Sequence, residues 1–407
     1  MDNKHFNIWN KVCAALAFVV SAVTYLLTIE PTASFWDCGE IIASPYKLEV
    51  GHPPGNPVFQ LIARLFTLFS EGQGAAVAVN AMSAICSALT IFFLYLTIVF
   101  LVKRIVKRED DGSYALSSAI TIFASGLVGA LAYCFSDTFW FSAVEGEVYA
   151  MSSLFTAAVF WAMTKWYDQA DEPHSLRWIV LIAFLMGLSI GVHLLNLLTI
   201  PCLFFLFYFR KKEDGRYSFW QLAGVFLLSC VVLLLVMAFI QYLPKTAAFF
   251  DRIFVNGFHL PFNSGAAFFM VLLLLLCFVG IYLSWKKDKV WLNTVILCFT
   301  TLVIGFSIFS IVIIRSSVKT PTNEYQPDNP YTLVRYLGRE QYGSNPLIYG
   351  QTYDAAYELE DSWYWAPMGD RYIKARGQVH PVYDSKTKML FPRMWSSDER
   401  HRDFYDW

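Results

Sequence analysis

The stretch AAVAVNAMSAICSALTIFFLYLTIVFLV, residues 75–102, decides the fold because it carries no charged side chain over its whole length. A helix needs about 20 consecutive apolar residues to cross the hydrocarbon core of a bilayer. Similar runs predict further spans at Trp9–Thr28, Ala115–Phe135, Tyr149–Met163, Trp178–Gly191, Leu194–Phe209, Phe219–Ile240, Ala266–Trp285 and Val290–Ile314. The sequence therefore predicts an all-α polytopic membrane protein with about nine transmembrane helices.

Composition supports this class and excludes others. Hydrophobic residues make up 56% and charged residues 15%, against roughly 45–50% and about 25% in soluble domains. A net charge of -1 gives no reason to expect nucleic acid as a partner. The nucleotide-binding and serine-hydrolase patterns GxxxxGK[ST], GxGxxG and GxSxG are absent from the sequence.

The distribution of basic residues predicts how the chain crosses the membrane. With a cytoplasmic N-terminus, fifteen Lys and Arg fall in inner loops: Lys4, Lys11, Lys103, Arg104, Lys107, Arg108, Lys165, Arg177, Arg210, Lys211, Lys212, Arg216, Lys286, Lys287 and Lys289. The outer loops hold only Lys47, Arg64, Lys245 and Arg252. Because short cytoplasmic loops carry an excess of Lys and Arg, we expect a multi-pass protein of the cell inner membrane with its outer loops and C-terminus in the periplasm.

The first outer loop, residues 29–74, is predicted to be structured. Residues 58–69 are apolar except for Gln60, Arg64 and Thr67, which is too short a run to span but is typical of an amphipathic helix in the membrane interface. Prolines at positions 53, 54 and 57 exclude a helix from the stretch before it. This loop could therefore cover a cavity at the membrane surface.

Two acids in this loop, Asp37 and Glu40, are the strongest candidates for chemistry. Their i, i+3 spacing places both on one face if the segment is helical, and Phe35 and Trp36 before them are typical interfacial anchors. A carboxylate at the membrane surface can act as a general base on a lipid-linked substrate. The alternative is a solvated or salt-bridged acid at a helix end.

Other polar residues are predicted on the same side of the membrane. Glu145 and Glu147 precede a span, where they either stabilise the helix N-terminus or orient a sugar or acceptor as a second wall of the site. His193 and Asn196 follow a turn at residues 191–193, where polar side chains tend to face the bundle interior.

The sequence gives little indication of residues spaced to bind a metal ion. It has no HxxxH pattern, and seven of its eight cysteines lie in apolar spans, which leaves Cys38 as the only loop cysteine. No metal site is predicted. One arrangement stays open, a divalent cation shared between Asp37 and Glu147.

Several stretches resemble the signatures of a known membrane family: Phe35-Trp36-Asp37-Cys38-Gly39-Glu40-Ile41-Ile42-Ala43, Tyr46–Gly55, Glu147-Val148-Tyr149-Ala150, Gly191–Asn196, Asn329–Tyr331, Gly338–Gly343 and Phe391–Ser397. That family was long labelled as of unknown function and is abundant in Bacteroidetes. It has a vertebrate transmembrane relative that acts as a protein O-mannosyltransferase, and it is similar to glycosyltransferases of the C type (GT-C).

The resemblance implies a GT-C-like fold and a glycosyltransferase that moves a sugar, such as mannose, from a polyprenyl-phosphate donor to a Ser or Thr hydroxyl of an exported protein. Asp37 becomes the expected general base, with Glu40 as its partner or as the alternative base. The residues expected to contact substrate are Trp36, Lys47, His52, Arg64, Glu147, His193, Asn196 and Arg252. Lys47, Arg64 and Arg252 are the candidates for the phosphate leaving group, unless they contact the phosphates of membrane lipids.

Two domains are predicted. Residues 1–314 form the transmembrane GT-C-like domain, and residues 315–407 form a folded non-cytoplasmic segment, because disordered chains are poor in the Tyr and Trp found there. Family members generally continue beyond Phe391–Ser397, so we expect this segment to be truncated relative to the family.

Two other functions remain open. A membrane transporter would place polar groups near the bilayer midplane, often in paired halves. A non-catalytic scaffold subunit predicts that Asp37 and Glu40 can both be neutralised without loss of function.

Overall fold

The computed structural model describes residues 1–212, 215–343, 346–392, 396 and 398–406. The predicted motif Phe391–Ser397 therefore lies partly outside the described residues, at positions 393–395 and 397. The helices are α1 (Asn3–Leu27), α2 (Cys38–Lys47), α3 (Pro57–Thr67), α4 (Gly74–Val102), α5 (Leu116–Cys134), α6 (Asp137–Val144), α7 (Val148–Gln169), α8 (Arg177–Ile190), α9 (Ile200–Lys211), α10 (Phe219–Phe258), α11 (Ser264–Lys286), α12 (Val290–Phe306), α13 (Ser310–Ser317), α14 (Pro330–Leu337) and α15 (Glu399–Asp406). The strands are β1 (Tyr349–Gln351), β2 (Tyr357–Met368), β3 (Arg371–Tyr383) and β4 (Lys388–Leu390).

Seven helical segments of the described chain are long and apolar enough to cross a membrane, by length and composition: Asn3–Leu27, Gly74–Val102, Leu116–Cys134, Leu194–Lys211, Phe219–Phe258, Ser264–Lys286 and Val290–Ser317. The other two predicted spans are helical, as α7 and α8, but they are not among the seven. Helix α8 has only 14 residues, about 21 Å of rise, and α7 carries Lys165 and Asp168 near its end. The predicted number of about nine is therefore not confirmed.

The loops predicted to be cytoplasmic meet at one end of the helical bundle. Arg104 forms an ion pair with Asp168 (2.6 Å), and the Arg210 side chain donates to the carbonyl of Tyr167 (3.0 Å). The loops predicted to be periplasmic meet through other contacts, such as the amide of Val58 with the carbonyl of Gly191 (2.9 Å). The grouping of the loops agrees with the alternation of spans, and which end faces the cytoplasm stays a prediction.

Small residues allow helices α8 and α12 to pack closely. A Cβ atom on Gly187 would lie 3.0 Å from the Cα of Leu302, and one on Gly305 would lie 2.7 Å from the amide nitrogen of Leu188. Membrane helices gain little from hydrophobic burial against each other, so such close backbone approach is a main source of their association.

The first outer loop contains two short helices on the outer ends of the spans. Helix α3 corresponds to the predicted interfacial helix at residues 58–69, and α2 is an additional helix that carries the two acids. Ile42 of α2 and Phe59 of α3 are buried in one cluster with Met82 of α4 and Met151 of α7. This apolar contact holds the loop against the spans that lie beneath it.

Helix α10 is longer than predicted. The sequence places a loop at Gln241–Gly265, but the helix continues through Pro244 to Phe258, for 40 residues. That corresponds to about 60 Å of rise, roughly twice the thickness of a hydrocarbon core. The predicted loop is therefore wrong over residues 241–258: Pro244 removes one amide donor without ending the helix.

The chain divides into two compact units, which are described separately. The first comprises Met1–Ile240 and Val271–Asp328, and the second comprises Gln241–Met270 and Asn329–Trp407. This division differs from the predicted boundary at residue 314.

The second unit contains strands, which the all-α prediction did not include. Strands β2 and β3 form an antiparallel hairpin across Gly369 and Asp370, in which Met368 pairs with Arg371, and β1 pairs with β4. Gly369 has a φ of 63°, which favours glycine. The described part of the chain is thus mostly helical, with two small sheets among the described residues of its C-terminal segment.

A buried acid anchors the hairpin within this unit. Asp251 of α10 has no exposed surface and accepts hydrogen bonds from the Tyr372 hydroxyl (2.7 Å) and the Gly265 amide (2.9 Å). The side chain of Asn256 bonds both to the amide and to the carbonyl of Tyr372, each at 2.8 Å. An isolated two-stranded hairpin is marginally stable, so these bonds supply tertiary support.

Candidate active site

Asp37 and Glu40 lie in one helical turn, as their spacing predicts. Asp37 is the N-cap residue of α2, and its carbonyl accepts from the amide of Ile41 (2.9 Å). Its side chain is exposed and caps none of the helix amides in the described structure. Glu40 lies in the first turn of α2 and is partly buried, with 30% of its side chain exposed. The two carboxylates therefore have different surroundings.

His52 holds Glu40 through two hydrogen bonds. Its amide donates to Oε1 of Glu40 (2.6 Å), and its Nδ1 lies 3.1 Å from Oε2. A Cβ atom on the preceding residue, Gly51, would collide with Oε1 of the same carboxylate. The non-helical stretch that the prolines impose at residues 51–56 thus brings the chain back against α2.

The contact shifts the pKa of both partners. Burial tends to raise the pKa of Glu40, but the hydrogen bonds and charge of His52 outweigh it and hold this pKa below the usual 4.5. The hydrogen bond with Glu40 raises the pKa of His52 above 6.5 despite burial, and the charges of Asp37 and Glu324 act in the same direction. Glu40 is therefore a poor proton acceptor while His52 holds it.

A second group of polar side chains surrounds Cys38, the residue after Asp37. The Cys38 thiol lies 3.1 Å from Oγ of Ser34, 3.5 Å from Oε1 of Glu147 and 3.8 Å from Oε2 of Glu145. Ser34 also hydrogen bonds to Glu145. Burial raises the pKa of the Cys38 thiol to about 12, so it stays protonated and can donate at neutral pH.

The pKa of Glu147 is raised above its usual value. Burial is the main cause, and the negative charges of Glu145 and Asp37 add to it, while hydrogen bonds from Cys38 and the amide of Val148 oppose it. The contacts of Ser34 and Cys38 with Glu145 and Glu147 show that the first outer loop and the loop before α7 meet at one place.

Asn80 of α4 fixes the loop that leads into this group. It has no exposed surface, and its Nδ2 donates to the carbonyls of Glu30 (2.7 Å) and Thr32 (3.0 Å). A Cβ atom on Gly146, between the two acids, would lie 2.9 Å from Oδ1 of Asn80 and 2.9 Å from Cγ1 of Ile42. Glycine is therefore needed for this close approach.

Three predicted substrate contacts lie elsewhere on the first outer loop. Trp36 is 94% exposed, and Lys47 is exposed in the last turn of α2. Arg64 donates to the carbonyl of Tyr46, and its guanidinium lies 5.7 Å from the centre of the Tyr46 ring. Arg64 thus connects α3 to α2. Because this contact occupies one nitrogen of its guanidinium, fewer donors remain for a phosphate.

His193 and Asn196 lie at the turn after α8, as predicted. Nδ1 of His193 accepts from the amide of Leu195 (3.2 Å), and its ring lies 5.4 Å from that of Tyr149, two residues beyond Glu147. Asn196 has no exposed surface, and its Nδ2 donates to Oγ of Ser189 (2.8 Å). We therefore assign Asn196 to the support of the turn.

Arg252 belongs to the second unit. Its guanidinium lies 4.3 Å from the centre of the Trp365 ring, a cation–π contact. Tyr331 also contacts Trp365, with ring centres 6.4 Å apart. The structure thus gives Arg252 a partner within its own unit.

A cavity of 490 Å³ extends along α4 and α7. Tyr149 lines it at the outer end, Thr90 and Ser152 contribute hydroxyl groups, and Leu94 and Phe160 contribute apolar surface. Its size is within the usual range of small-molecule sites. Sequence reasoning did not find this cavity.

Within the described part of the chain, no group of three or more His, Cys, Asp or Glu side chains could hold a metal ion. A cation shared by Asp37 and Glu147 stays a prediction.

Comparison with known proteins relates part of this chain to one described family. Residues 37–216 match the family described as the protein O-mannosyl-transferase TMEM260 N-terminal domain, and this match begins at Asp37. The chain is related to that vertebrate O-mannosyltransferase. The matched range includes Glu40, His52 and Glu147, whereas Ser34, Trp36 and Arg252 lie outside it.

The curated proteins that resemble the chain include two from different organisms. Protein O-mannosyl-transferase tmem260 of Dictyostelium discoideum is 26% identical over 223 residues, which cover 52% of this chain and 24% of the relative. The protein of the same name in Mus musculus is 29% identical over 199 residues, which cover 48% of this chain and 26% of the relative. The matched region thus spans about a quarter of the length of these relatives.

The C-terminal segment has a separate match. Residues 343–407 match a family of unknown function, DUF8416. No solved structure matches the chain.

Sequence reasoning missed how Ser34 and Cys38 connect the two acidic loops. Both residues are small and uncharged, and they lie beside the two carboxylates that dominate this segment. The available signal was that Cys38, the only cysteine outside the apolar runs, lies between the two acids.

Proposed function

We propose that this chain carries the catalytic outer loops of an integral-membrane glycosyltransferase that moves a sugar from a polyprenyl-phosphate donor to a Ser or Thr hydroxyl of an exported protein. The observation that carries this proposal is that the two acids differ in their surroundings: Asp37 is exposed, whereas Glu40 is partly buried and bonded to His52. The names of the relatives, protein O-mannosyl-transferases, support transfer of mannose to protein.

Asp37 acts as the general base in this proposal. The acceptor oxygen attacks the anomeric carbon, the bond from that carbon to the phosphate oxygen breaks, and polyprenyl phosphate leaves with the electron pair. The proton of the acceptor hydroxyl passes to the carboxylate of Asp37, which is exposed and so can approach a substrate. Glu40 is the partner that fixes the turn through His52.

Glu147 forms the second wall of the site. Burial raises the pKa of Glu147, and its carboxyl group can form a hydrogen bond with a sugar hydroxyl. Glu145 is buried against Ser34 and supports the loop that presents Glu147.

The donor lipid would lie in the cavity along α4 and α7. Its walls combine apolar side chains with hydroxyl groups, and its outer end at Tyr149 is two residues from Glu147. This position would bring the sugar of a lipid-linked donor to the acids while the chain of the lipid stays in the membrane. Among the candidates for binding the phosphate, exposed Lys47 is the nearest in sequence to the two acids of α2.

The test is sugar transfer by the full chain in lipid nanodiscs, with a polyprenyl-phosphate mannose and a Ser/Thr-containing acceptor peptide. We expect Asp37→Asn to lower kcat by about 10²–10⁴-fold, the usual contribution of a general base. Asp137→Asn is the matched control, because Asp137 is also an exposed acid at the start of an outer helix. Wild-type kcat in a folded Asp37→Asn protein would exclude Asp37 as the base.

Glu40→Gln separates the two carboxylates. We expect it to lower kcat less than Asp37→Asn and to lower thermal stability more, because Glu40 has two hydrogen bonds to lose. Full transfer activity after neutralising both acids would exclude both carboxylates as the base.

A further inference from the structure

Arg315, near the end of the last candidate span, Val290–Ser317, binds the end of helix α2. Nε of Arg315 donates to the carbonyl of Leu48 (2.6 Å), and its Nη2 donates to the carbonyl of Lys47 (2.9 Å). The last carbonyls of a helix have no partner within the helix. The planar guanidinium offers two donors to two adjacent carbonyls, which a lysine ammonium cannot reproduce.

Residues 322–324 also form backbone hydrogen bonds with Val50, two residues beyond Leu48. The amide of Val50 donates to the carbonyl of Thr322 (3.0 Å), and the carbonyl of Val50 accepts from the amide of Glu324 (3.1 Å). Val50 is only 3% exposed, so water competes little for these bonds. Residues 315–324 therefore hold the backbone of residues 47–50 at two points.

The next two residues are Gly51 and His52, which form the contact with Glu40. The backbone at Gly51 has no room for a Cβ atom beside the Glu40 carboxylate. A displacement of this backbone by a fraction of an ångström would therefore alter both hydrogen bonds of Glu40. The segment at residues 315–324 and the first acidic turn are thus mechanically connected although they lie far apart in sequence.

We propose that Arg315 is a positioning residue of this site, which holds residues 47–52 so that His52 meets Glu40. The role in transfer rests on the proposed function, whereas the effect on the backbone does not. Arg315 does not act as a catalytic residue in this proposal, because it contacts only the carbonyls of the loop.

Several charged groups must be considered when this contact is tested by titration. His52 faces Glu40 directly, and the charges of Asp37 and Glu324 also act on it. Glu324 itself has a raised pKa, because it is partly buried and repelled by Glu40. Loss of the Arg315 contact would remove one of the two points that hold residues 47–50, next to this group.

Two measurements on the full chain in nanodiscs test the proposal without any sugar transfer. Amide hydrogen exchange of residues 44–52 is expected to accelerate by about tenfold or more in Arg315→Gln, because local opening becomes easier. The NMR titration of His52, assigned with His52→Gln, is expected to show its pKa falling toward 6.5 in the same variant. Arg315→Lys should behave like Arg315→Gln because it lacks the planar fork.

Lys319→Gln is the matched control. Lys319 is exposed in the same segment, and its replacement also removes one positive charge. It should leave the exchange of residues 44–52 and the pKa of His52 unchanged. Wild-type exchange and an unchanged His52 titration in Arg315→Gln would overturn the proposal, as would equal shifts in Lys319→Gln.

Transfer kinetics add the functional readout. We expect Arg315→Gln to lower kcat by about 10- to 100-fold, since a misplacement of about 1 Å can have this effect. If wild type transfers no sugar while the exchange and titration shift as expected, the proposed function fails and the positioning of His52 by Arg315 stands. If exchange and titration shift but kcat does not, Arg315 has no part in transfer.

Discussion

Replacing His52 by alanine tests the ionic contact that organises the first acidic turn. The substitution removes the Nδ1 contact with Glu40 (3.1 Å) and keeps the backbone amide bond (2.6 Å). A hydrogen bond to a charged group contributes about 1.5–3 kcal/mol. Since both side chains are about 30% exposed, we expect a loss near the lower end of that range.

The expected loss depends on pH in a defined direction. The folded-state pKa of Glu40 is lowered, so its contribution is present above 4.5 and is lost as pH falls through the lowered value. The folded-state pKa of His52 is raised, so its contribution is fully present below 6.5 and is lost as pH rises through the raised value. Wild type and His52→Ala should therefore differ most at about pH 5.5 and much less at about pH 9.

Thermal unfolding of the full chain in detergent micelles measures this difference. We expect the Tm of His52→Ala to lie about 2–5 °C below wild type at the lower pH, and close to wild type at the higher pH. His259→Ala is the control, because His259 is an exposed histidine that belongs to the second unit. It should show no pH-dependent difference.

An equal loss of stability at both pH values would refute the reasoning. It would mean that His52 supports the turn through packing or through a neutral hydrogen bond, and that Glu40 is not held as a charged partner. Glu40 would then be as available for proton transfer as Asp37.

Three further outcomes follow from individual contacts. Gly51→Ala should lower Tm and activity together because its Cβ would displace the Glu40 carboxylate, whereas a Cβ on Gly39 would meet no described atom within 4 Å and Gly39→Ala should be tolerated. Asn80→Ala should lower the free energy of unfolding by about 1–3 kcal/mol, since it leaves two loop carbonyls without their donor, as measured by thermal or denaturant unfolding. The thiol of Cys38, with its pKa raised to about 12 by burial, should resist alkylation at pH 8 in the folded protein and react after unfolding, as followed by mass spectrometry.

The spans and the interfacial helix could be predicted because their signal is local. Helix α4 begins and ends within one residue of its predicted run, residues 75–102. Helix α3 begins and ends within two residues of its own predicted run, residues 58–69. Length and hydrophobicity set these elements independently of the rest of the chain. The helix past Pro244 could not be predicted in this way, because tertiary bonds such as those of Asp251 support it.

The hairpin of β2 and β3 had a local signal that was not used. The dipeptide Gly369-Asp370 between two aromatic-rich runs is a usual hairpin turn. The pairing of Glu40 with His52 had no such signal, because it depends on the path of the chain through residues 51–56 and on the backbone contact at Val50. Non-local contacts of this kind require the fold before they can be recognised.

The roles of the two acids follow from what each one would lose by accepting a proton. Protonation of Glu40 would cost the charged contact with His52, so catalysis through Glu40 would have to disrupt the turn in every cycle. Protonation of Asp37 breaks no capping bond of α2 in the described structure, and it would reduce the repulsion that raises the pKa of Glu147. Repeated proton transfer requires a base that can gain and lose a proton without disturbing the loop around it. Asp37 meets this requirement, whereas the charge of Glu40 maintains the loop. On this argument Asp37 and Glu40 are not interchangeable, although they share one turn of one helix.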